Sequence, residues 1–534
     1  MKRITVLVLL LFVAMTGNAF AYDVQLKPFQ DVKQTDWFYD NVYSLAALDI
    51  INGESAAIFN PDGVLSREAF VKLAVASTRA DVSNMAGPAP SDLSADQWSY
   101  PYIAYAAQHH WIDFMTDASG KFYPEQPITR QEVAALIGTT ILNLQDESVR
   151  NLWLQSGWAN EKEAKPFKDG RQITELIAPY VYYAVNRGIM EGDESGFRPS
   201  DPLSRKEAAA IIYRWVDQET AERVLDVTGF YAIRSYSALN RMPSLSNIIF
   251  GWSHLQYDAA GKASLQTGDT EYRIPEGWEQ AAEAAKSANI RSELMVYYGS
   301  GNLRDFVKDT AAQSAFMDSL MQTLDDPRYS FTGVCIDFEG LKEEASAADY
   351  AAFLTALKAK LGNRSLTVAV PPVYYYKGYD LKKIGDIADT VILMAYDFTD
   401  QGSKLPSAPL PLVNDTVRQA LAAIPKEKLV LGISKQANQW ITSQGITSYY
   451  EPEIDAVERR LASQPDGQTW SLPYHLKQIV FQDERGSHLI YYEDTESIAK
   501  KLWLAKYYGL KGVSLWHMGN VTAADWELIG TAAK

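Results

Sequence analysis

The chain has 534 residues and a formal net charge of −16, so its overall field repels nucleic acid and anionic surfaces. A hydrophobic content of 47% excludes a largely disordered chain, and a single cysteine excludes an intramolecular disulfide. The length predicts more than one domain.

The first residues have the form of a secretory signal. A basic start, MKR, precedes the apolar stretch ITVLVLLLFVAM, and Ala19-Phe20-Ala21 follows as a small-x-small cleavage site. We therefore expect residues 1–21 to be removed and the protein to be secreted. No later stretch approaches about 18 consecutive apolar residues, so no membrane span is predicted. A secreted chain without disulfides fits a bacterial envelope.

Residues 22–217 contain a sequence that is repeated three times. Each copy has an aromatic residue, one further residue and proline, and then a Ser/Thr-Arg step into an apolar helical pattern. The copies are FNPDGVLSREAFVKLA (59–74), FYPEQPITRQEVAALI (122–137) and FRPSDPLSRKEAAAII (197–212). A second amphipathic helix is predicted upstream of each copy. We place the repeats at about residues 27–85, 86–160 and 161–217.

These copies resemble S-layer homology repeats, which usually occur three in tandem and carry the motif Thr-Arg-Ala-Glu. The resemblance implies a three-lobed all-α bundle on a bacterial cell surface, bound to anionic secondary cell-wall polysaccharide. The motif arginines are Arg67, Arg130 and Arg205, for which we expect bidentate binding of carboxylates. In the first copy, Glu68 follows the arginine directly. The simpler alternative is that each motif only caps a helix.

From residue 226 to residue 534, short apolar runs alternate with helix-like segments, after a helical connector at 218–225. This alternation predicts an α/β fold, a (β/α)8 TIM barrel. The piece between Gln436 and Lys511 is predicted to be a small α+β insertion after the seventh strand. The candidate strands are VTGFYAI (227–233), SNIIFGWSHL (246–255), RSELMVYYG (291–299), FTGVCIDFEG (331–340), SLTVAVPP (365–372), DTVILMAYDF (389–398), KLVLGIS (428–434) and KGVSLWHMGN (511–520).

The fourth candidate strand carries two acids in an otherwise apolar run. Because side chains alternate along a strand, Cys335, Asp337 and Glu339 share one face, which we expect to point into the barrel with Glu339 at its mouth. Two carboxyl groups there repel each other and lose hydration, so at least one should have a raised pKa. A protonated acid near neutral pH suits the general acid of glycosidic cleavage; a structural acid pair is the alternative.

Three strand ends resemble motifs of glycoside hydrolase family 18. The fourth strand matches the family's Asp-Gly-x-Asp-x-Asp-x-Glu signature, except that Thr332 and Cys335 replace the first two acids. The sixth strand has the Met-x-Tyr-Asp pattern, and the last strand has a tryptophan where the family places the floor of a sugar subsite. The residues carried over by this resemblance are Asp337, Glu339, Met394, Tyr396, Asp397, Trp516 and Tyr231.

The resemblance implies substrate-assisted retaining hydrolysis, with no metal and no cofactor. Glu339 protonates the glycosidic oxygen while the substrate's own 2-acetamido oxygen attacks the anomeric carbon. Asp337 accepts the acetamido N–H and stabilises the developing charge, and Tyr396 donates to the acetamido carbonyl. Asp397 binds substrate hydroxyls, and Trp516 stacks under the sugar.

We therefore predict a wall-anchored glycosidase that cuts next to N-acetylglucosamine in peptidoglycan. One alternative is a chitinase of the same mechanism, and another is a non-catalytic carbohydrate-binding wall protein, against which the retained Glu339 argues. Since Cys335 is not an acid, Asp337 should lean toward Glu339 permanently. Muramic acid carries a lactyl carboxylate, and Lys435, at the end of the seventh strand, is the cation nominated to meet it, with a solvated rim lysine as the alternative.

Overall fold

The fold was analysed in a computed structural model, which describes residues 24–233, 235–463 and 467–533. The predicted signal segment, residues 1–21, lies outside the described residues. The remaining chain forms a helical unit and a β/α barrel, and residues 222–225 connect the last helix of the first to the first strand of the second.

In the helical unit, the motif helix of each repeat packs against the upstream helix of the next repeat, so the three repeats form one bundle, and we call the part formed by one repeat a lobe. The last helix continues to Ala221, so it includes the first half of the predicted connector. A π-helical turn (Trp153–Gly157) joins two short helices, Glu147–Leu152 and Trp158–Ala164. The helices of this unit are α1 (Tyr39–Ala47), α2 (Arg67–Ser77), α3 (Tyr100–Gln108), α4 (Arg130–Asn143), α5 (Glu147–Leu152), α6 (Trp158–Ala164), α7 (Ala178–Asn186) and α8 (Arg205–Ala221).

The Ser/Thr-Arg steps begin helices α2, α4 and α8. In the third repeat the backbone N–H of Ser204 donates to Glu207 Oε2 at 2.9 Å, which satisfies a group that the helix leaves unpaired. In the first repeat the glutamate lies one position earlier and does not cap. Glu68 instead accepts from Ser99 Oγ of the second repeat at 2.6 Å. Because its glutamate is shifted by one position, the first repeat lacks the glutamate cap and has a hydrogen bond to the second repeat instead.

Backbone hydrogen bonds join the three lobes in a ring around a pseudo-threefold axis. The N–H of Leu65 donates to Leu203 O at 2.9 Å, that of Ile128 to Leu65 O at 3.0 Å, and that of Leu203 to Ile128 O at 3.1 Å. All three side chains are buried. Each lobe is therefore held by both of its neighbours, as the sequence repeat suggests for units that cannot bury their apolar faces alone.

The motif arginines belong to this ring, and their predicted bidentate binding of wall carboxylates stays a prediction. Each guanidinium donates to a backbone carbonyl of the next lobe; Arg67 and Arg130 are only 9% and 7% exposed, whereas Arg205 is half-buried. At Arg67 and Arg130, burial and these bonds leave little of the guanidinium open to an anion. The pairs are Arg67 with Phe122 O at 2.8 Å, Arg130 with Phe197 O at 2.9 Å and Arg205 with Phe59 O at 2.7 Å.

Eight parallel strands of the described chain close into a barrel, which confirms the predicted fold. Each of the eight candidate runs contains one of them, and pairing of the first strand with both the second and the last closes the sheet. Around the barrel the strands are β1 (Asp226–Tyr231), β2 (Asn247–Tyr257), β4 (Arg291–Tyr298), β5 (Gly333–Phe338), β6 (Ser365–Val370), β7 (Thr390–Leu393), β8 (Leu429–Ser434) and β14 (Gly512–Trp516).

Helices cover the outside of the barrel, and their apolar faces bury its strands. A short strand, β3 (Ala263–Gln266), pairs antiparallel with β2 and was not predicted. The barrel helices are α9 (Trp278–Ser287), α10 (Leu303–Phe306), α11 (Thr310–Leu324), α12 (Ala347–Leu361), α13 (Leu381–Ile387), α14 (Leu410–Leu421), α16 (Thr495–Tyr508) and α17 (Ala523–Ala532).

The predicted insertion after the seventh barrel strand is confirmed. It forms an antiparallel five-stranded sheet in the order β10-β9-β13-β12-β11, with one helix packed against it. Its elements are β9 (Ala437–Ser443), β10 (Ile446–Tyr450), α15 (Ile454–Ser463), β11 (Gln468–Ser471), β12 (Leu476–Asp483) and β13 (Gly486–Tyr492).

The helical unit packs directly against the barrel. Lys500 Nζ on α16 bonds to Asp40 Oδ2 at 2.8 Å and to Ser44 Oγ at 2.9 Å on α1. Tyr213 of α8 lies against Trp503 of α16, with ring centroids 5.7 Å apart. These contacts fix where the repeats sit relative to the barrel mouth. Among the described helices, none is long and apolar enough to cross a bilayer.

The interlobe role of the arginines is testable by unfolding. Arg130→Ala should lower the free energy of unfolding by about 3 kcal/mol, because Phe197 O and Glu191 O lose a charged donor. The control is Arg187→Ala, which removes an exposed arginine of the third repeat, the repeat that Arg130 contacts, and should change stability by less than about 0.5 kcal/mol. Urea unfolding followed by circular dichroism measures both. Equal stability of the two variants would contradict the interlobe role.

Candidate active site

The two acids of β5 lie at the C-terminal mouth of the barrel. Asp337 follows Cys335 by two positions, so both side chains are on the inward face, and Asp337 is 4% exposed. Glu339 comes directly after the strand ends, and its N–H donates to Tyr298 O at 2.8 Å. This bond continues the pairing with β4 by one residue and holds Glu339 at the rim.

A cavity of about 210 Å³ contains both acids. Four further residues that the sequence singled out line it: Met394, Tyr396, Asp397 and Trp516. The remaining side chains come from several strand ends and from the loop after β3. They are Phe230, Tyr272, Tyr297, Ala369, Ile392 and Gln436.

Burial raises the pKa of both acids, and a neighbouring carboxylate adds to the shift of each. Loss of hydration, with a further contribution from the charge of Asp397, raises the pKa of Glu339 to about 7. Burial and the charge of Glu339 hold the pKa of Asp337 well above its usual range. Within the described residues Asp337 Oδ1 has no hydrogen-bond partner, although it lines the cavity. It is therefore available to a ligand N–H.

Cys335 cannot take the part of the acid that it replaces. Burial, and then the charges of Asp337 and Glu293, raise the pKa of its thiol well above the usual value, so it stays a neutral thiol. A neutral thiol is a weak hydrogen-bond partner and does not share a proton with Asp337 as a carboxylate does. After burial, the charge of Glu339 is what raises the pKa of Asp337, and the predicted lean of Asp337 toward Glu339 stays a prediction.

Irregular backbone after β7 turns Tyr396 and Asp397 into the cavity. The strand ends at Leu393, and the N–H of Tyr396 bonds back to Met394 O at 2.9 Å. Asp397 has a left-handed φ of 63°. Burial, and then the charge of Asp397, hold the pKa of the Tyr396 phenol well above its usual range, so it remains a hydrogen-bond donor.

Two residues that the sequence did not reveal hold Asp397 in place. Gln436 Nε2 donates to Asp397 Oδ1 at 3.1 Å, and the N–H of Asp397 donates to Ser407 Oγ at 2.9 Å. Asp397 as a residue is exposed at the cleft mouth. The protein that surrounds its carboxyl group nevertheless removes water from that group, and this raises the pKa of Asp397. Ser407 lies ten residues beyond Asp397 in a loop without a motif, so no local pattern identified it.

The structure contradicts the placement of Lys435 in an open groove. Lys435 is 3% exposed, forms an ion pair with the fully buried Asp525 of α17, and its Nζ lies 5.2 Å from the ring centroid of Tyr492. Side chains alternate along β8, so Lys435 points outward into the helix layer while Gln436 points into the cavity. The lysine is therefore not a rim cation, and it cannot meet a substrate carboxylate.

Tyr231 also lies outside the cavity that holds the acids. It lines a neighbouring cavity of about 610 Å³ together with Trp252 and Trp278, whereas Phe230, one residue earlier on β1, lines the catalytic cavity. Phe230 contacts Trp516 edge to face, with ring centroids 5.3 Å apart. The predicted contact of Tyr231 with substrate stays a prediction, and Phe230 is the residue of β1 that lines the cavity with the acids.

Comparison with known proteins identifies both parts of the chain. Residues 218–520 match the family described as glycosyl hydrolases family 18, and residues 28–71, 91–134 and 166–209 match the S-layer homology domain. The chain belongs to glycosyl hydrolases family 18 and carries three S-layer homology repeats. It is a glycoside hydrolase by this membership.

Individual relatives are distant. The cortical fragment-lytic enzyme of Bacillus anthracis is 24% identical over 281 residues, which are 47% of this chain and 63% of that one. The surface-layer 125 kDa protein of Lysinibacillus sphaericus is 25% identical over 270 residues, 46% of this chain and 22% of that one. The spore cortex-lytic enzyme SleL of Bacillus cereus shares the fold, with a TM-score of 0.50 at 21% identity over 58% of this chain and 75% of that one. The chain spans 50–63% of the length of the first curated relatives it matches.

The position of Tyr396 depends on a glycine in the neighbouring strand. A Cβ on Gly432 of β8 would lie 2.8 Å from Leu393 O and 3.2 Å from Tyr396 Cε1. Gly432→Ala should therefore displace Tyr396 and lower glycosidase kcat/KM by about tenfold or more. The control is Gly301→Ala, where a Cβ meets nothing within 4 Å in the described structure. Full activity of Gly432→Ala would show that the position of Tyr396 is not critical.

Proposed function

We propose that the protein is a secreted, wall-anchored glycosidase that hydrolyses β-1,4 bonds next to N-acetylglucosamine in peptidoglycan by a substrate-assisted retaining mechanism. The observation that carries the proposal is the pair of coupled carboxyls. Glu339 has a pKa of about 7 at the cavity rim, and a buried Asp337 presents a carboxyl oxygen that is unpartnered in the described part of the chain.

The pair divides two tasks between its members. Repulsion favours a state in which the two carboxyls hold one proton near neutral pH. Glu339 gives that proton to the glycosidic oxygen as the bond from this oxygen to the anomeric carbon breaks, so the leaving saccharide departs as an alcohol. Asp337 accepts the acetamido N–H of the sugar that remains.

The substrate supplies the nucleophile in this scheme. The acetamido carbonyl oxygen forms a bond to the anomeric carbon, which gives a cyclic oxazolinium ion whose positive charge lies beside Asp337. Tyr396 donates to the acetamido carbonyl and holds it in line, and Trp516 supports the sugar ring. Water then forms a bond to the anomeric carbon as the bond from the acetamido oxygen to that carbon breaks, which restores the acetamido group. Glu339, now ionised, takes a proton from this water, and the two inversions leave the configuration retained.

The choice of peptidoglycan rests on where the barrel is held. We propose that the chain after Ala21 divides into a wall-binding unit (22–217) and a catalytic barrel (226–534). The repeats then hold the barrel against the wall, where tethering raises the effective concentration of a polymer of 2-acetamido sugars. A relative named for lysis of cortical fragments favours the same substrate. The wall contact would use Arg205 or surfaces other than Arg67 and Arg130, because these two are buried between the lobes.

Chitin-type oligosaccharides are the second candidate substrate. They carry the same acetamido group, and the burial of Lys435 removes one argument for a muramyl-specific cleft. A non-catalytic carbohydrate-binding role is less well supported. A binding protein has no use for an acid whose pKa is raised to about 7 in the cavity.

Loss of the general acid should abolish hydrolysis. Glu339→Gln should lower the release of reducing ends from purified wall by at least about a hundredfold, because an amide cannot give the leaving oxygen a proton. Binding of saccharides should persist, since the side chain keeps its shape. Circular dichroism and calorimetric binding serve as controls. Turnover near the wild-type rate would remove Glu339 from this role.

The pH dependence follows from the pKa of Glu339. The acid must be protonated to act, so kcat/KM should fall about tenfold per pH unit above a midpoint near pH 7. Asp397→Asn removes a negative charge that raises this pKa, so the midpoint should move to lower pH. Asp400→Asn is the control, because Asp400 lines the outer cleft but is not among the charges that raise the pKa of Glu339. An unmoved midpoint in Asp397→Asn would contradict the assignment.

A further inference from the structure

The segment that precedes the first repeat reaches the catalytic cleft. A cleft of about 760 Å³ extends outward from the acids, and it is lined by Glu339, Tyr396 and Asp397 at its inner end. Leu26 and Lys27 line the same cleft, although they belong to the helical unit by sequence. We propose that this segment is part of the substrate-binding site, where Lys27 and Lys342 bind the carboxylates of an anionic amino-sugar polymer. This inference rests on the proposed function and specifies its substrate.

The segment is anchored on both sides of Lys27. Leu26 packs against a cluster that contains Phe398 and Leu405 on the barrel side. Phe29, two residues after the lysine, is buried in the core of the first repeat, and its N–H donates to Tyr43 Oη at 2.8 Å. Because both flanks are fixed, the backbone of Lys27 is held at the edge of the cleft while its side chain stays exposed.

Lys342 lines the same cleft from the barrel side. It lies three residues after Glu339, in the loop that leads from β5 toward α12, and its side chain is exposed. The preceding Leu341 is buried, and Lys342 O accepts from the N–H of Lys377 at 3.3 Å, which holds the loop. A cation from each unit of the protein therefore borders the cleft that contains the general acid.

Neither ammonium group has a carboxylate partner in the part of the chain that the structure describes. Across the described ranges, no carboxylate lies within 4.0 Å of Lys27 Nζ or Lys342 Nζ, whereas many other surface lysines are paired. The chain as a whole carries a net charge of −16, which repels an anionic polymer. Two unpaired cations at the cleft offset that repulsion at the place where such a polymer must enter.

The chemistry of the ligand follows from these charges. Lysine ammonium groups bind carboxylates as point charges, and N-acetylmuramic acid carries a lactyl carboxylate beside its acetamido group. A chitin chain offers acetamido groups but no carboxylate. The two lysines should therefore favour the muramyl polymer over the neutral one, which is the task that the buried Lys435 cannot perform.

The test compares three tetrasaccharides on the full chain that begins at Tyr22. The first alternates N-acetylglucosamine with N-acetylmuramic acid, the second is the same saccharide with its lactyl carboxylates converted to amides, and the third is the neutral N-acetylglucosamine tetramer. The measured quantity is kcat/KM for the first saccharide divided by kcat/KM for either neutral saccharide. The double variant Lys27→Met/Lys342→Met should lower this ratio by about tenfold because KM for the first saccharide rises. Each single variant should lower it by about threefold. Salt should raise KM for the first saccharide in the wild type and less in the double variant.

Two controls separate charge from structure. Lys27→Arg/Lys342→Arg should keep the ratio, and Lys377→Met, which removes an exposed lysine beside the cleft but outside it, should also keep it. An unchanged ratio in the double Met variant would overturn the inference. So would a rise in kcat/KM for all three saccharides after deletion of residues 22–27, because the segment would then obstruct the cleft.

The outcome is separable from that of the proposed function. If the wild type cleaves only the neutral tetramer, the peptidoglycan assignment fails. In that case, calorimetric binding of the saccharides to Glu339→Gln still tests whether the lysines bind carboxylates, because binding does not require turnover. Equal affinity of this variant for the carboxylate and amide saccharides overturns the lysine inference alone, and tighter binding of the carboxylate form supports it.

Discussion

The electrostatic coupling between Asp337 and Glu339 is the interaction on which the site depends. Two carboxyls on one face of a buried strand cannot both ionise without a large cost, so the pair keeps a proton near neutral pH. Barrel closure makes this possible, because eight strands exclude water from Asp337 while leaving Glu339 at the rim. Because Cys335 stands where the family signature has a deeper acid, the one charge that raises the pKa of Asp337 is that of Glu339, the residue proposed as the general acid.

The helical unit and the barrel act as one body around that pair. Contacts such as Lys500 with Asp40 seat the repeats beside the barrel, and the segment before the first repeat continues into the cleft. The repeats and the cleft therefore hold a fixed position relative to each other. The motif arginines contribute to this geometry from inside the bundle, where each joins one lobe to the next.

Local patterns in the sequence predicted the fold and the inner site well. The alternation of short apolar runs with helix-like segments identified every barrel strand. Motifs at the strand ends identified five of the residues that line the cavity with Glu339. The contacts that the sequence did not reveal share a physical cause: the contact partner is distant in sequence. Lys435 finds its carboxylate on α17, the arginines find carbonyls in another repeat, and Ser407 reaches Asp397 across an irregular loop. Phe230, which lines the cavity, carries no motif and was not identified from the sequence.

The central claim is that the substrate's acetamido oxygen, rather than a protein carboxylate, attacks the anomeric carbon. The most direct test measures kcat/KM on one peptidoglycan saccharide in which the N-acetyl group carries none, one, two or three fluorine atoms. Fluorine withdraws electrons from the carbonyl oxygen and hardly changes its shape, so the account predicts a steep fall in kcat/KM with each fluorine. A rate that is independent of fluorination would contradict it and would require a nucleophile from the protein.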